Sequence, residues 1–258
     1  MVGCRPVVPY PPRALLLSAA LSAACGKGVP ILMYHSVGDG GEPLTVGPEE
    51  LDDQLDYLKQ AGFETITLRQ LVDAQENGAK LPRHPVVLTF DDGYLDAASA
   101  VLPRLEARGQ KGTFFIVSGF CGRDESTRVV QGRRQYMIWP EVRALDAAGM
   151  EIGSHSITHR KLTELNRAEL HAEVEQSRST LQLYATRPVD FFAYPFNEQA
   201  RWVRRVVEKA GYRGAVAGAH GNSDRFTLQR LTMHRGITAK DLRSMLADDW
   251  ATTYTEGG

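Results

Sequence analysis

Apolar residues follow two patterns along this chain. Short, nearly continuous apolar runs rich in β-branched and aromatic residues occur at 29–34, 63–68, 85–88, 111–118, 151–153, 190–194, 212–217 and 227–233. Such runs predict buried strands. Between them, apolar positions recur every three or four residues, which predicts amphipathic helices. The stretch 48–61 carries Leu51, Leu55 and Leu58 and stops at Gly62. Thr67 is placed to cap a helix carrying Leu71 and Val72. Residues 95–107 form an amphipathic stretch in which Pro103 bends or restarts the helix. Trp139-Pro140 opens a helix that runs to Gly149. The stretch 166–185 predicts a long helix with Leu170, Val174, Leu181 and Leu183 as its apolar positions, and 201–210 and 241–247 predict two more.

Strands and helices therefore alternate. That order implies parallel strands joined by right-handed crossovers. Six or seven β/α units predict an irregular barrel rather than an open doubly wound sheet. No glycine-rich phosphate loop follows the first strand, which weighs against a nucleotide-binding fold. No boundary interrupts the chain after residue 29, so 29–258 reads as one catalytic domain.

Composition narrows the function. A formal net charge of −1 gives no electrostatic basis for nucleic-acid binding. Cys4, Cys25 and Cys121 make neither a disulfide framework nor a zinc-ribbon spacing. Residues 1–28 differ from the rest: prolines and Arg13 precede an apolar run of small residues and leucines that ends at Cys25. The run is too short to span a bilayer, and its pattern is that of a secretory leader. Cys25 stands where a bacterial lipoprotein carries its lipid, so a lipid anchor and a released protein both fit; the prolines before the run and Gly26-Lys27-Gly28 after it argue against an ordinary apolar N-terminal helix. The expected location is extracytoplasmic.

The candidate chemistry starts at the end of the third predicted strand. Asp91 and Asp92 follow Thr89-Phe90, and Gly93 turns the chain away. In α/β proteins, ligands collect at the C-terminal ends of strands. Taken alone, this is also a common turn signal. His155 and His159, four apart, leave the end of another predicted strand. On a helical turn or tight loop that spacing sets both imidazoles on one side. Two histidines and a carboxylate make a three-ligand set with open positions, suited to Zn²⁺ and also to Co²⁺, Mn²⁺, Fe²⁺ or Ni²⁺.

Together, Thr89-Phe90-Asp91-Asp92-Gly93 and Ser154-His155-Ser156-Ile157-Thr158-His159 resemble the first two signature motifs of the family-four carbohydrate esterases, the polysaccharide deacetylases. Met33-Tyr34-His35-Ser36-Val37 and Phe192-Ala193-Tyr194-Pro195-Phe196 are similar to segments of the poly-N-acetylglucosamine deacetylase branch. The likeness covers about 30–247. It implies a distorted (β/α) barrel of about seven parallel strands that removes N-acetyl groups from an acetylated polysaccharide. It also implies Asp92, His155 and His159 as metal ligands, Asp91 as general base, and the backbone N–H of Phe196 as an oxyanion donor.

The sequence departs from the family pattern at Ala193, where most members carry an arginine that orients the base. Arg230 is the candidate replacement. His234, in a late motif one residue too long, is the candidate general acid. Tyr194, Phe196 and Trp139 are candidate substrate contacts, Trp139 either stacking on a sugar or packing in the core. Tyr34 and His35 either line the site or serve the core. Four arginines at 123–134 form a solvated loop or meet an anionic polymer. A small-molecule or lipid-linked-sugar amidohydrolase and an inactive carbohydrate-binding relative are the other readings. Oligomeric state is left open.

Overall fold

In the computed structural model, residues 28–247 are described; the leader 1–28 with Cys25 falls almost wholly outside them. Each barrel strand is a short apolar run stopped by a polar or glycine-bearing turn. β1 (Ile31–Tyr34) leads into β2 (Ser36–Val37) and β3 (Thr45–Val46), which pair only with each other. β4 (Glu64–Ile66), β5 (Pro85–Phe90) and β6 (Thr113–Ile116) follow. The excursion at 120–135 contains the hairpin β7 (Val130–Gln131) and β8 (Arg134–Gln135). Then come β9 (Glu151–Ser154), β10 (Phe191–Ala193), β11 (Gly214–Val216) and β12 (Leu231–Thr232).

The main sheet is parallel throughout, in the order β11-β10-β9-β6-β5-β1-β12, with β4 paired to the first half of β5. Leu228 exchanges backbone hydrogen bonds with Ala215 and Ala217 of the β11 segment, while β12 pairs with β1. One stretch of chain thus joins the two edges of the sheet, and the fold is a distorted (β/α) barrel. This corrects the expectation of one continuous strand over 227–233. The chain leaves β11 after Leu228 and reaches β1 at Leu231, and Arg230 between them turns its guanidinium inward.

Side chains on successive strand residues face opposite ways. Ile31, Val87, Phe115, Phe191 and Val216 form one buried cluster. Their neighbours Leu32, Leu88, Phe114, Phe192 and Ala215 join a second cluster with the surrounding helices. The first is the barrel lumen. Leu68, Leu71 and Val72 of helix Leu68–Asn77 also pack in it, closing the N-terminal end of the barrel. Thr67 caps that helix as expected, accepting from the Gln70 N–H. Two carboxylates at the strand starts hold it in place: Glu151 accepts from the Leu68 and Arg69 N–H groups, and Asp190 pairs with the Arg69 guanidinium at 2.7 Å.

Three other expectations are corrected. The long helix expected at 166–185 is present over 167–182, but it carries a π-turn at Ala172–Gln176 between Arg167–His171 and Ser177–Gln182 and ends short of 185. Leu183 lies past its last turn and is 76% exposed, so it is not part of the apolar face. In the excursion, Arg123 and Arg133 are exposed, whereas Arg128 and Arg134 are partly buried and paired. Arg128 pairs with Glu125 and Glu141, and Arg134 lies 4.4 Å over the Tyr94 ring and pairs with Glu42. No helix among the described residues is long and apolar enough to cross a membrane.

Candidate active site

The alternation along β5 decides where the two carboxylates go. Val87 and Thr89 face the lumen, and so does Asp91, whose N–H continues the ladder to the Tyr34 carbonyl at 2.9 Å. Asp92 (φ 73°) and Gly93 (φ 75°) are both left-handed, a conformation glycine and aspartate tolerate better than most residues. These two residues turn the chain sharply and bring the Asp92 carboxylate back over the mouth.

Arg230, fully buried, grips Asp91 with both arms: Nη1 to Oδ1 and Nη2 to Oδ2, each at 2.7 Å. Its other N–H groups reach Thr89 Oγ1 (3.2 Å), Asn197 Oδ1 (3.2 Å) and the Ala217 carbonyl (2.9 Å). All five guanidinium donors therefore have an acceptor. Burial by itself would raise the Asp91 carboxyl; the Arg230 charge, and then His155, outweigh it and hold the group below the usual carboxylate range.

Asp92 Oδ1 lies 3.3 Å from both His155 Nε2 and His159 Nε2, and those nitrogens are 3.2 Å apart. His155 Nδ1 lies 2.8 Å from the Ala193 carbonyl, which can only accept, so Nδ1 carries the proton and Nε2 presents its lone pair. Asp92 Oδ1 is buried and has no hydrogen-bond partner. Burial opposes ionisation of Asp92, but the two histidines overcome it and hold its carboxyl well below the usual range. A tetrahedron with ligand bonds of ~2.0–2.1 Å has edges of about 3.3 Å. Three mutually close donor atoms, one otherwise orphaned, fit a divalent cation.

A sequence model described as polysaccharide deacetylase matches residues 78–215, more than half of this chain. The chain belongs to the polysaccharide deacetylase family. Among curated relatives, the chain is 25% identical to YxkH of Bacillus subtilis, which carries the same family name, over 81% of this chain and 73% of YxkH. It is 27% identical to the poly-beta-1,6-N-acetyl-D-glucosamine N-deacetylase of Escherichia coli, over 50% of this chain and 21% of that protein. Its fold matches that of the Streptococcus pyogenes deacetylase PplD in complex with acetate (TM-score 0.75, 20% identity, 84% of this chain and 97% of that one). It also matches that of IcaB from Ammonifex degensii (TM-score 0.72, 21% identity, 86% and 97%).

The remaining candidates separate by direction. Phe196, 54% exposed and left-handed (φ 58°), sets its ring centroid 4.7 Å from that of His159. With Lys161, Leu165 and His159 it lines a surface cavity of about 530 Å³. Tyr194, by contrast, faces out of the barrel; it is fully buried and its hydroxyl donates to the Phe226 carbonyl. Trp139 is 7% exposed and stacks on Tyr184 with centroids 3.9 Å apart, so its ring is committed to packing. His234 is exposed at the surface, with Nδ1 against the Arg235 carbonyl.

His35, which by sequence either lines the site or serves the core, faces the lumen side of β1 as Asp91 does on β5. Its Nδ1 is buried and unpaired. Burial lowers its pKa, opposed by Asp91 and Asp92. Beside it, Ser36 Oγ donates to Asp96 at 2.6 Å, and burial pushes the Asp96 carboxyl up to about 6. The sequence signal for His35 was the period of two: it stands two after Met33 and four after Ile31, both inward.

Proposed function

We propose that this member of the polysaccharide deacetylase family is a metal-dependent hydrolase that removes N-acetyl groups from an N-acetylglucosamine-containing polysaccharide. The observation that carries the reading is the Asp91–Arg230 fork beside the Asp92, His155 and His159 donors. Those three residues would hold the metal, with Zn²⁺ as the first choice for a histidine–carboxylate set. A divalent cation there supplies the positive charge that makes water a better nucleophile near neutral pH and polarises an acetyl carbonyl.

The chain's own residues do the rest. Asp91 takes a proton from the attacking water as general base. Arg230 keeps it ionised and in register. The Phe196 N–H, at the left-handed turn after β10, supports the developing oxyanion, a contribution on the order of 3 kcal/mol for one such donor. His35, rather than His234, is placed to hand a proton to the departing amine, because its ring lies on the lumen side beside Asp91 and Asp92 while His234 is exposed at the surface; burial keeps it neutral at rest, so the proton it passes on is one gained as the water is activated.

The substrate assignment draws on the name of the E. coli relative and on the open cavity beside Phe196, which leaves room for a sugar unit next to the reacting one. The leader-like pattern at 1–28 favours an extracytoplasmic site of action on a cell-envelope or secreted glycan, with Cys25 as a lipid-anchor position. Acetate release from a panel of acetylated glycans tests the whole reading, using stripped protein with each metal added back. Release from poly-N-acetylglucosamine that depends on added metal is the expected result. A protein that binds glycan without releasing acetate would be an inactive relative. Release only from small amides would point to the small-molecule reading.

A further inference from the structure

The two histidines of the metal set are joined by Ser156-Ile157-Thr158, and one buried carboxylate from a separate helix holds that loop. Glu173 is 3% exposed. Its Oε2 accepts from the Ile157 N–H at 2.8 Å and the Thr158 N–H at 2.9 Å, and its Oε1 accepts from the Thr158 hydroxyl. Arg160 supplies a counter-charge, with Nη2 3.6 Å from Oε1. The loop's carbonyls are gripped from another side. Ser118 N–H donates to Ser156 O at 3.1 Å, and Gly119 N–H donates to Ile157 O at 2.9 Å. A Cβ on Gly119 would stand 2.4 Å from that Ile157 oxygen, an approach only glycine permits.

This loop needs holding. Ser156 (φ 65°) and His159 (φ 56°) are both left-handed, a conformation costly for residues with a Cβ that persists only when surroundings enforce it. Relaxation at either would move His159 Nε2 relative to His155 Nε2. Glu173 also sits in the π-turn Ala172–Gln176, where the helix departs from its regular ladder. Such turns occur often at functional sites. Glu173 touches no donor atom of the metal set and is closed to solvent, so it acts through the loop.

We infer that Glu173 is a positioning residue for the metal set: its carboxylate fixes the loop between His155 and His159 and thereby the separation of their coordinating nitrogens. The inference rests on the metal-dependent reading above. Outer partners of this kind control metal affinity by about 10- to 100-fold.

The test is Zn²⁺ affinity by chelator competition and the visible spectrum of the Co²⁺-loaded protein, in wild type, Glu173→Ala, Glu173→Gln and Asn166→Ala. Glu173→Ala should weaken Zn²⁺ binding by about 10- to 100-fold and alter the Co²⁺ bands. Glu173→Gln keeps an oxygen for the two N–H groups and should recover most of the affinity. Asn166→Ala removes the N-cap of the same helix, whose side chain accepts from Glu169 N–H at 3.0 Å. It should lower Tm and leave affinity and spectrum alone. Equal affinity in wild type and Glu173→Ala overturns the inference, as does an equal loss in Asn166→Ala. Should Glu173→Ala not fold, Thr158→Val decides: a smaller loss of affinity supports the inference and an unchanged affinity overturns it. Wild type that binds no metal overturns the metal reading and this inference together, whereas normal loading in both wild type and Glu173→Ala overturns this inference alone.

Discussion

Replacing Arg230 with methionine keeps most of the side-chain volume and removes the charge. In the native protein the guanidinium is fully buried and the Asp91 side chain is 2% exposed, with both oxygens held at 2.7 Å. Deleting one partner of such a pair leaves an uncompensated buried charge, which costs about 3–5 kcal/mol. Against a usual total of about 5–15 kcal/mol, that is a large loss. The loss should depend on pH in a defined direction. With Arg230 present, Asp91 titrates below its unfolded value, so its stabilisation is full above about pH 4 and fades as pH falls through the native pKa. Without Arg230, burial dominates and the Asp91 pKa rises above the unfolded value. The variant therefore gains stability as pH falls through that raised pKa, and the gap to wild type is widest near neutrality and narrows in acid. Urea denaturation at a series of pH values measures the gap. The acid limb of kcat/KM for metal-saturated protein should move to higher pH in the variant, since that limb reports the free enzyme's base. Arg230→Lys, which keeps charge but cannot fork, should fall between. A pH-independent stability gap together with an unmoved acid limb would refute the role given to Arg230.

Asp91→Asn should retain bound metal, measured by elemental analysis, while turnover falls by about 10²–10⁴-fold; His155→Ala should lose the metal itself. His35→Ala should lower kcat by a similar factor of about 10²–10⁴ and change the basic limb of its pH profile, while His234→Ala leaves both near wild type. Tyr194→Phe removes a hydroxyl bonded to the Phe226 carbonyl and should cost about 1 kcal/mol in thermal unfolding with kcat and KM unchanged, since that ring faces away from the lumen.

Much of this architecture could be read from residue order. The alternation of apolar runs and helical stretches specified parallel β/α units, and the carboxylate pair and the two histidines were visible as motifs at strand ends. Arg230 could be named only because Ala193 left a role open; its distance of 139 residues from Asp91 is bridged by barrel closure, which no local pattern encodes. The strand expected over 227–233 failed for the same reason, because its middle serves the lumen instead of a continuous ladder. Of the two roles open to Trp139, packing is the one its ring takes, and Tyr194 points away from the lumen because strand direction, not residue type, decides where a side chain goes. Counting by twos along β10 puts Phe191 and Ala193 inward and Tyr194 outward, and the same count along β1 puts His35 inward. Glu173 could not have been found this way: in the sequence it is one more acidic residue on a polar helix.

The segment that carries Arg230 is also the last stave of the barrel. During synthesis, Asp91 and both histidines emerge well before it. Without residues 228–232 between β11 and β1, Asp91 would lack both of its 2.7 Å contacts, and burial would push its carboxyl toward the protonated form. A nascent chain in that state would carry its metal donors but not a working base. On the proposed mechanism, the contact that completes the sheet is therefore also the one that gives the base its partner.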